Sequence, residues 1–209
     1  MYDIRRPLPF DMNRPLKLML LILAIVWLIS AFSPTDRKIW LVENILLIAS
    51  IILLATTYNK FTLSNRAYCL IFLFLLLHTY GAHYTYQGTP IDAWLKSVFP
   101  LKRSYYDRFV HFAFGLLWVL PVYELMTRAA KLRGFWSYAL TAVLVFALSS
   151  FFEVIEMLAA VMMGEQGVGG DYLGMQGDVF DSQKDMGLGL SGALFSAIWL
   201  AWLRRKRIS

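Results

Sequence analysis

The sequence predicts an all-α membrane protein, a bundle of six transmembrane helices forming a single domain over residues 1–209. Three observations lead to this fold class. First, 58% of the 209 residues are hydrophobic and the mean hydropathy is +0.55, an excess over the roughly one-half that is usual in soluble domains. Second, the hydrophobic residues form six segments, and a helix needs about 17–20 of them to cross a bilayer. Third, Lys and Arg residues flank these segments.

The six segments are apolar around most of their helical circumference and are too long for strands, which predicts helices embedded in lipid. Their approximate bounds are 16–34, 39–58, 66–84, 107–127, 136–163 and 185–203. The first segment follows basic residues, as a secretory signal does. Pro34 disfavours cleavage after it, and further spans follow, so we expect a retained anchor.

The distribution of Lys and Arg between the loops predicts the orientation of the chain, because basic residues concentrate on the cytoplasmic side. One set of loops, which includes both termini, carries thirteen of them: Arg5, Arg6, Arg14, Lys17, Lys60, Arg66, Arg128, Lys131, Arg133, Arg204, Arg205, Lys206 and Arg207. The other carries seven: Arg37, Lys38, Lys96, Lys102, Arg103, Arg108 and Lys184. Six spans with both termini in the cytoplasm satisfy this bias. The net charge of +6 therefore indicates topology, and we expect the lipid bilayer, with no nucleic acid, as the partner of this surface.

Acids and histidines gather towards the predicted outer side. Residues three or four positions apart share a helix face, and three such groups occur: Asp107 with His111, Glu153 with Glu156, and Asp178 with Asp181 and Asp185. The side chains within each group point in one direction, and the groups come from different parts of the chain. Metal sites in helix bundles are built in this way, from side chains on facing helices.

The membrane makes these residues energetically unusual. A carboxylate within the bilayer costs several kcal/mol unless it is paired, coordinated or hydrated, and Glu153 and Glu156 also repel each other. A divalent cation would offset both effects. We expect Glu153 as the catalytic base, and the predicted metal ligands are His83, Asp107, His111, Glu156, Asp178, Asp181 and Asp185. Mixed imidazole and carboxylate ligands suit Zn²⁺, Mn²⁺ or Fe²⁺, and an all-oxygen set suits Mg²⁺.

Other interpretations stay open at this point. Arg103 or Arg108 would neutralise Glu153 or Glu156 in a structural ion pair, and the loop acids would then be solvated. Three functions follow from these readings: a metal-dependent enzyme acting on a lipid or cell-envelope precursor from the periplasmic side, a transporter or ion-translocating component, and a membrane scaffold. The oligomeric state is not indicated.

Two further patterns predict structure. Small residues on the sixth span indicate close helix packing: Gly187, Gly189, Ser191, Gly192 and Ala193. Aromatic residues at the outer boundary are typical of interfacial anchors: Tyr80, Tyr84, Tyr86, Trp94, Tyr105 and Tyr106.

Several of these motifs together resemble a known family. The segment from His78 to His83, the run 105-YYDRFVH-111, the paired Glu153 and Glu156, and the run 176-QGDVFDSQKDM-186 resemble the YjdF-type family of bacterial inner-membrane proteins, across essentially the whole chain. The entry to the sixth span is also similar to VanZ-like membrane proteins. The first resemblance implies a multi-pass protein of the bacterial inner membrane and supplies no mechanism.

Overall fold

The computed structural model describes residues 8–164 and 176–206, and within them the fold is entirely helical. This confirms the predicted all-α class. After a short 3₁₀ helix at Phe10–Met12, the elements are α1 (Arg14–Ser30), α2 (Arg37–Thr57), α3 (Asn65–His83), α4 (Pro90–Val98), α5 (Tyr106–Arg128), α6 (Phe135–Met163) and α7 (Asp181–Arg205).

Polar residues before the apolar runs set where helices begin. A side-chain oxygen at the N-cap accepts a hydrogen bond from a backbone N–H of the first turn that has no partner within the helix. Asn13 caps α1, Asp36 caps α2, Ser64 caps α3 and Thr89 caps α4 in this way. The short helix α4 lies outside the six predicted segments.

Two boundaries differ by four residues from the predicted ones. The first helix ends at Ser30, before the predicted position 34, and Ser33 has a φ of 47° that no right-handed helix accommodates. The last helix begins at Asp181, four residues before the predicted start. Asp181 and Asp185 are therefore both on α7, whereas Asp178 precedes it.

Four of the described helices have the length and hydropathy of a membrane span: α2, α5, α6 and α7. The shorter helices α1, with 17 residues, and α3, with 19, belong to the same bundle. Leu23 of α1 packs in one hydrophobic cluster with Leu47 of α2, Phe74 of α3 and Val110 of α5.

Contacts at one end of the bundle show which helices begin there and which end there. At one end, the Asn13 side chain donates to the Tyr58 hydroxyl (3.1 Å) and to Asn65 Oδ1 (3.0 Å), which joins the starts of α1 and α3 to the end of α2. Arg204 stacks over the Tyr123 ring at the same end. We call this the far end. The site end is the opposite one, where α2, α5 and α7 begin.

Helices α5 and α7 approach so closely that only glycine fits at their crossing. A Cβ atom on Gly192 would collide with the backbone of α5 at Phe112 and Leu116, and one on Gly115 would collide with the backbone of α7 at Gly189. The predicted close packing is confirmed for Gly189 and Gly192, while Gly187 faces open space. Gly189 and Gly192 thus serve the packing of α7 within the chain.

At the far end, Glu124 of α5 joins α5 to the start of α3. Its Oε2 accepts from the Ser64 backbone N–H (2.8 Å), its Oε1 accepts from the Ser64 hydroxyl, and Arg128 lies 3.2 Å from Oε2. Glu124 therefore has a structural role that accounts for its burial.

We expect Glu124→Ala to destabilise the protein by about 1–3 kcal/mol, because Ser64 loses the charged acceptor of two part-buried hydrogen bonds. Thermal unfolding in detergent, followed by tryptophan fluorescence, measures the change. Glu124→Gln retains one carbonyl acceptor and is the matched control with a smaller loss. Equal unfolding temperatures for Glu124→Ala and wild type would contradict this role.

Candidate metal site

The centre of the candidate site consists of one histidine and two glutamates inside the bundle. His111 of α5 and Glu153 and Glu156 of α6 each present a donor atom, and these three atoms all lie within 4.8 Å of one another. His111 Nε2 is 3.2 Å from Glu153 Oε1, and both residues are buried. Because α5 and α6 are antiparallel, the early turns of α5 meet the late turns of α6, which brings these distant positions together.

Asp107 lies one helical turn before His111. Its Oδ1 is 3.6 Å from His111 Nε2, and its side chain remains 26% exposed. The predicted shared face of these two residues is therefore present in the structure. Asp107 and Glu156 also line a small polar cavity of about 10 Å³ together with Glu43 and Tyr86, which is about the space of one water molecule.

Glu43 of α2 belongs to this cluster and was missed by the sequence analysis. It is only 3% exposed, and its Oε2 has no hydrogen-bond partner among residues 8–164 and 176–206. The sequence nevertheless contained a signal for this residue. Glu43 stands within the apolar segment 39–58, where a carboxylate is as costly as at Glu153.

His78 is held in one orientation by two partners. Its Nε2 donates to the Glu43 backbone carbonyl (3.0 Å), so its Nδ1 accepts from the Tyr86 hydroxyl (2.5 Å). Burial, with the carboxylates of Glu43 and Asp107 adding to it, raises the pKa of Tyr86 well above its usual range, so Tyr86 keeps its proton and remains a donor. Tyr86 thus faces the site. Tyr106 is 3% exposed and lies inside the bundle. The sequence predicted both residues to be interfacial anchors.

Asp185 of α7 is a further buried acid close to His111. It is 2% exposed, it interacts electrostatically with His111 and Asp107, and its Oδ1 has no hydrogen-bond partner in the described part of the chain. Its predicted place beside the histidine agrees with the structure.

His83 lies apart from this cluster. Its Nδ1 donates to the Ser30 backbone carbonyl (2.9 Å), and its ring packs edge-on against Tyr84. These contacts tie the end of α3 to the end of α1 and explain the residue without a metal.

Asp178 and Asp181 are engaged by basic side chains at the mouth of the bundle. Asp181 Oδ1 is 2.6 Å from Arg103, and Asp178 Oδ2 is 2.5 Å from Arg108 and 2.6 Å from Lys184. The hydrogen bond from Lys184, supported by the one from Arg108, lowers the pKa of Asp178 to about 2. The structure therefore places these two predicted ligands in an ion-pair network with Arg103, Arg108 and Lys184, and Asp181 also interacts electrostatically with His111.

This network leaves the buried acids without cationic partners. Both arginines that were candidates to neutralise Glu153 or Glu156 are paired with Asp178 and Asp181 instead. Among residues 8–164 and 176–206, no Lys or Arg forms an ion pair with the five acids of this cluster: Glu43, Asp107, Glu153, Glu156 and Asp185. Carboxyl groups this close and this poorly solvated must share protons or bind a cation.

Fold and site together define an all-helical membrane protein with a buried carboxylate–imidazole cluster at one end of its bundle. Residues 15–206 match the family described as "Predicted membrane protein (DUF2238)", and the chain belongs to this family. It is 36% identical over 182 residues to the inner membrane protein YjdF of Escherichia coli (strain K12), covering 87% of this chain and 86% of that protein. No solved structure matches. The predicted family is confirmed, and the protein is a multi-pass protein of the bacterial inner membrane embedded in the lipid bilayer.

Proposed function

We propose that the protein is a metal-dependent membrane enzyme in which His111, Glu153 and Glu156 hold one divalent cation. The observation that supports this is the convergence of His111, Glu153 and Glu156, within a cluster whose five acids form no ion pair with Lys or Arg among the described residues. The substrate class is a lipid or a lipid-linked cell-envelope precursor, because the site lies within a bundle embedded in lipid. Hydrolysis or phosphoryl-type transfer is the reaction class that such a centre performs without a redox partner.

The donor set favours Zn²⁺, Mn²⁺ or Fe²⁺ over Mg²⁺. Imidazole suits the first-row transition metals, whereas Mg²⁺ prefers oxygen ligands alone. Three protein ligands are the number found in catalytic zinc sites, which keep a further position for water or substrate.

Asp107 would be the proton acceptor of the centre if a divalent cation were bound there. A metal such as Zn²⁺ lowers the pKa of bound water to about 7, and a carboxylate next to the site can then accept the proton. Asp107 is the partly exposed acid beside His111. The sequence alone predicted Glu153 as the catalytic base. This proposal makes Glu153 a metal ligand instead, because its carboxylate lies as close to the His111 imidazole as a second ligand would.

Metal analysis of the detergent-purified protein tests the proposal. Wild type supplied with Zn²⁺ or Mn²⁺ should retain a stoichiometric metal after gel filtration, as measured by plasma mass spectrometry. Asp107→Asn should retain it too, whereas Glu153→Gln should lose most of it because a neutral amide is a poor ligand. A wild-type protein that keeps no metal would refute the proposed function, and a metal retained by Glu153→Gln would return Glu153 to the role of base.

A transport function would need polar groups that continue to the far end. Glu124, the buried acid at that end, is engaged with Ser64 and Arg128, and the site's polar groups lie at the opposite end. The distribution of charge therefore favours a site that is open on one side.

We further propose six spans with both termini in the cytoplasm and the site end facing the periplasm. The alternation of the six long helices and the excess of Lys and Arg at the far end support this topology.

Reporter fusions test this topology. Alkaline phosphatase fused after Gly88, at the site end, should be active, because that enzyme folds only outside the cytoplasm. The same reporter fused after Lys60 or Arg205 should be inactive, while green fluorescent protein at Arg205 should fluoresce. The reverse pattern would place the site in the cytoplasm.

A further inference from the structure

An apolar cavity of about 270 Å³ lies between α2, α3, α5 and α6 and adjoins the candidate metal site. At one end it is lined by polar side chains of the cluster, His78, Asp107 and His111. Elsewhere its walls are mainly hydrocarbon and aromatic rings, including Phe114 and Trp118 of α5, with Ser50 of α2 as a small polar exception. The cavity therefore has one polar end, and the rest of its length is mainly apolar.

The cavity extends from the site end towards the middle of the bundle. His111 and Trp118 both line it, and seven residues of helix correspond to about 10 Å along the axis. A lipid in the leaflet on this side has the same polarity, with its head group near the membrane surface and its chains directed towards the midplane. The orientation of the cavity thus matches that of a lipid molecule.

The mouth of the cavity faces the hydrocarbon region of the membrane. Its rim includes Leu53 of α2 and Phe151 of α6, each 61% exposed, and Ile155 of α6, 41% exposed. Deeper in the cavity, Val110 is 5% exposed. Helices α2 and α6 pack together near the site end, where Ile39 contacts Ala160. On both helices the rim residues lie further from the site end than this contact does. The opening is therefore lateral, between α2 and α6.

The size and lining of the cavity favour a hydrocarbon occupant. Apolar cavities exclude water, and one of about 150 Å³ accommodates benzene. A larger empty space would forfeit the dispersion contacts of its walls. Since lipid chains surround the opening, a chain from the bilayer can restore those contacts without crossing water.

We propose that this cavity holds one hydrocarbon chain of a membrane lipid, which enters between α2 and α6 and brings its head group to His111, Glu153 and Glu156. This inference rests on the proposed function in one respect, because it makes that lipid the substrate of the metal centre. The substrate class is accordingly an amphiphile with at least one flexible chain and a polar group at its end.

Photolabelling of the reconstituted full-length protein tests the inference. The probe is a trace of glycerophospholipid with a diazirine near the end of one acyl chain, in vesicles of phosphatidylethanolamine and phosphatidylglycerol. After irradiation, peptide mass spectrometry should find adducts on Val110 and Phe114, which line the cavity and whose adducts we call buried adducts. It should also find adducts on lipid-facing residues such as Val143. Adducts confined to lipid-facing residues of the wild type would overturn the inference.

Two tryptophan substitutions on α2 provide a matched pair. Ser50 lines the cavity, so Ser50→Trp should reduce adducts on Val110 and Phe114 to background while preserving those on Val143. Ile45 is 65% exposed and points away from the cavity, so Ile45→Trp should leave all adducts unchanged. Buried adducts that persist in a folded Ser50→Trp protein would count against the cavity as their source.

The metal content of the same preparations separates this inference from the proposed function. Glu156→Gln should lose the metal and keep the buried adducts, and Ser50→Trp should do the opposite. A wild type with buried adducts and no metal would refute the metal enzyme and leave the chain-binding cavity supported. A wild type with metal and no buried adducts would refute the cavity alone.

Discussion

Replacing His111 with alanine should weaken Zn²⁺ or Mn²⁺ binding by more than about 100-fold. Residues that only orient a ligand already contribute about 10- to 100-fold in metal affinity, and His111 is the single imidazole of the three-donor group. Its removal leaves two glutamates that repel each other, and these would take up protons in place of the metal. Competition with a chelating dye, in detergent and at constant pH, measures the affinity.

Two further variants determine whether such a loss is specific. Glu156→Gln keeps the size of the side chain and removes one ligand charge, so we expect a comparable loss of affinity with the helical content unchanged. Asp178→Asn removes an acid that pairs with Arg108 and Lys184 at the mouth of the bundle, so it should bind metal as wild type does. Equal affinities for His111→Ala and Asp178→Asn would show that His111 is not a ligand.

Gly192→Ala should destabilise the bundle by about 1–3 kcal/mol or more, the usual effect of overpacking a close contact. The added Cβ would meet the backbone of α5 at Phe112 and Leu116, and backbone atoms cannot move aside as a flexible side chain can. Because α5 carries His111 and α7 carries Asp185, separation of these helices would also loosen the site. The unfolding temperature in detergent should fall, and metal binding should weaken with it.

The same substitution five residues earlier is a control with the opposite sign. A Cβ atom on Gly187 meets nothing within 4 Å, and alanine is preferred over glycine inside a helix by about 0.5–1 kcal/mol. Gly187→Ala should therefore leave the stability unchanged or raise it. A similar loss in both variants would show that the contact between α5 and α7 does not control the outcome.

The candidate site shows how far spacing along the chain can predict contacts. Asp107 and His111 share a face because four residues make about one helical turn, and Glu153 and Glu156 do so for the same reason. Which faces meet depends on the rotation of each helix about its axis, and packing between helices determines that rotation. Asp178 and Asp181 continue the spacing of Asp185 along the chain. They nevertheless form ion pairs with Arg103 and Arg108, because those arginines lie at the mouth of the bundle.

The sequence by itself determined the helical membrane class, the family and the local pairs of acids and histidine, because these depend on composition, periodicity and motifs within single segments. Only the tertiary structure decided the rest. It placed His83 against Ser30, added Glu43 from α2 to the cluster, and opened a cavity beside His111. The physical reason is that a buried charge selects its partner by distance in space, and the packing of helices against one another sets that distance.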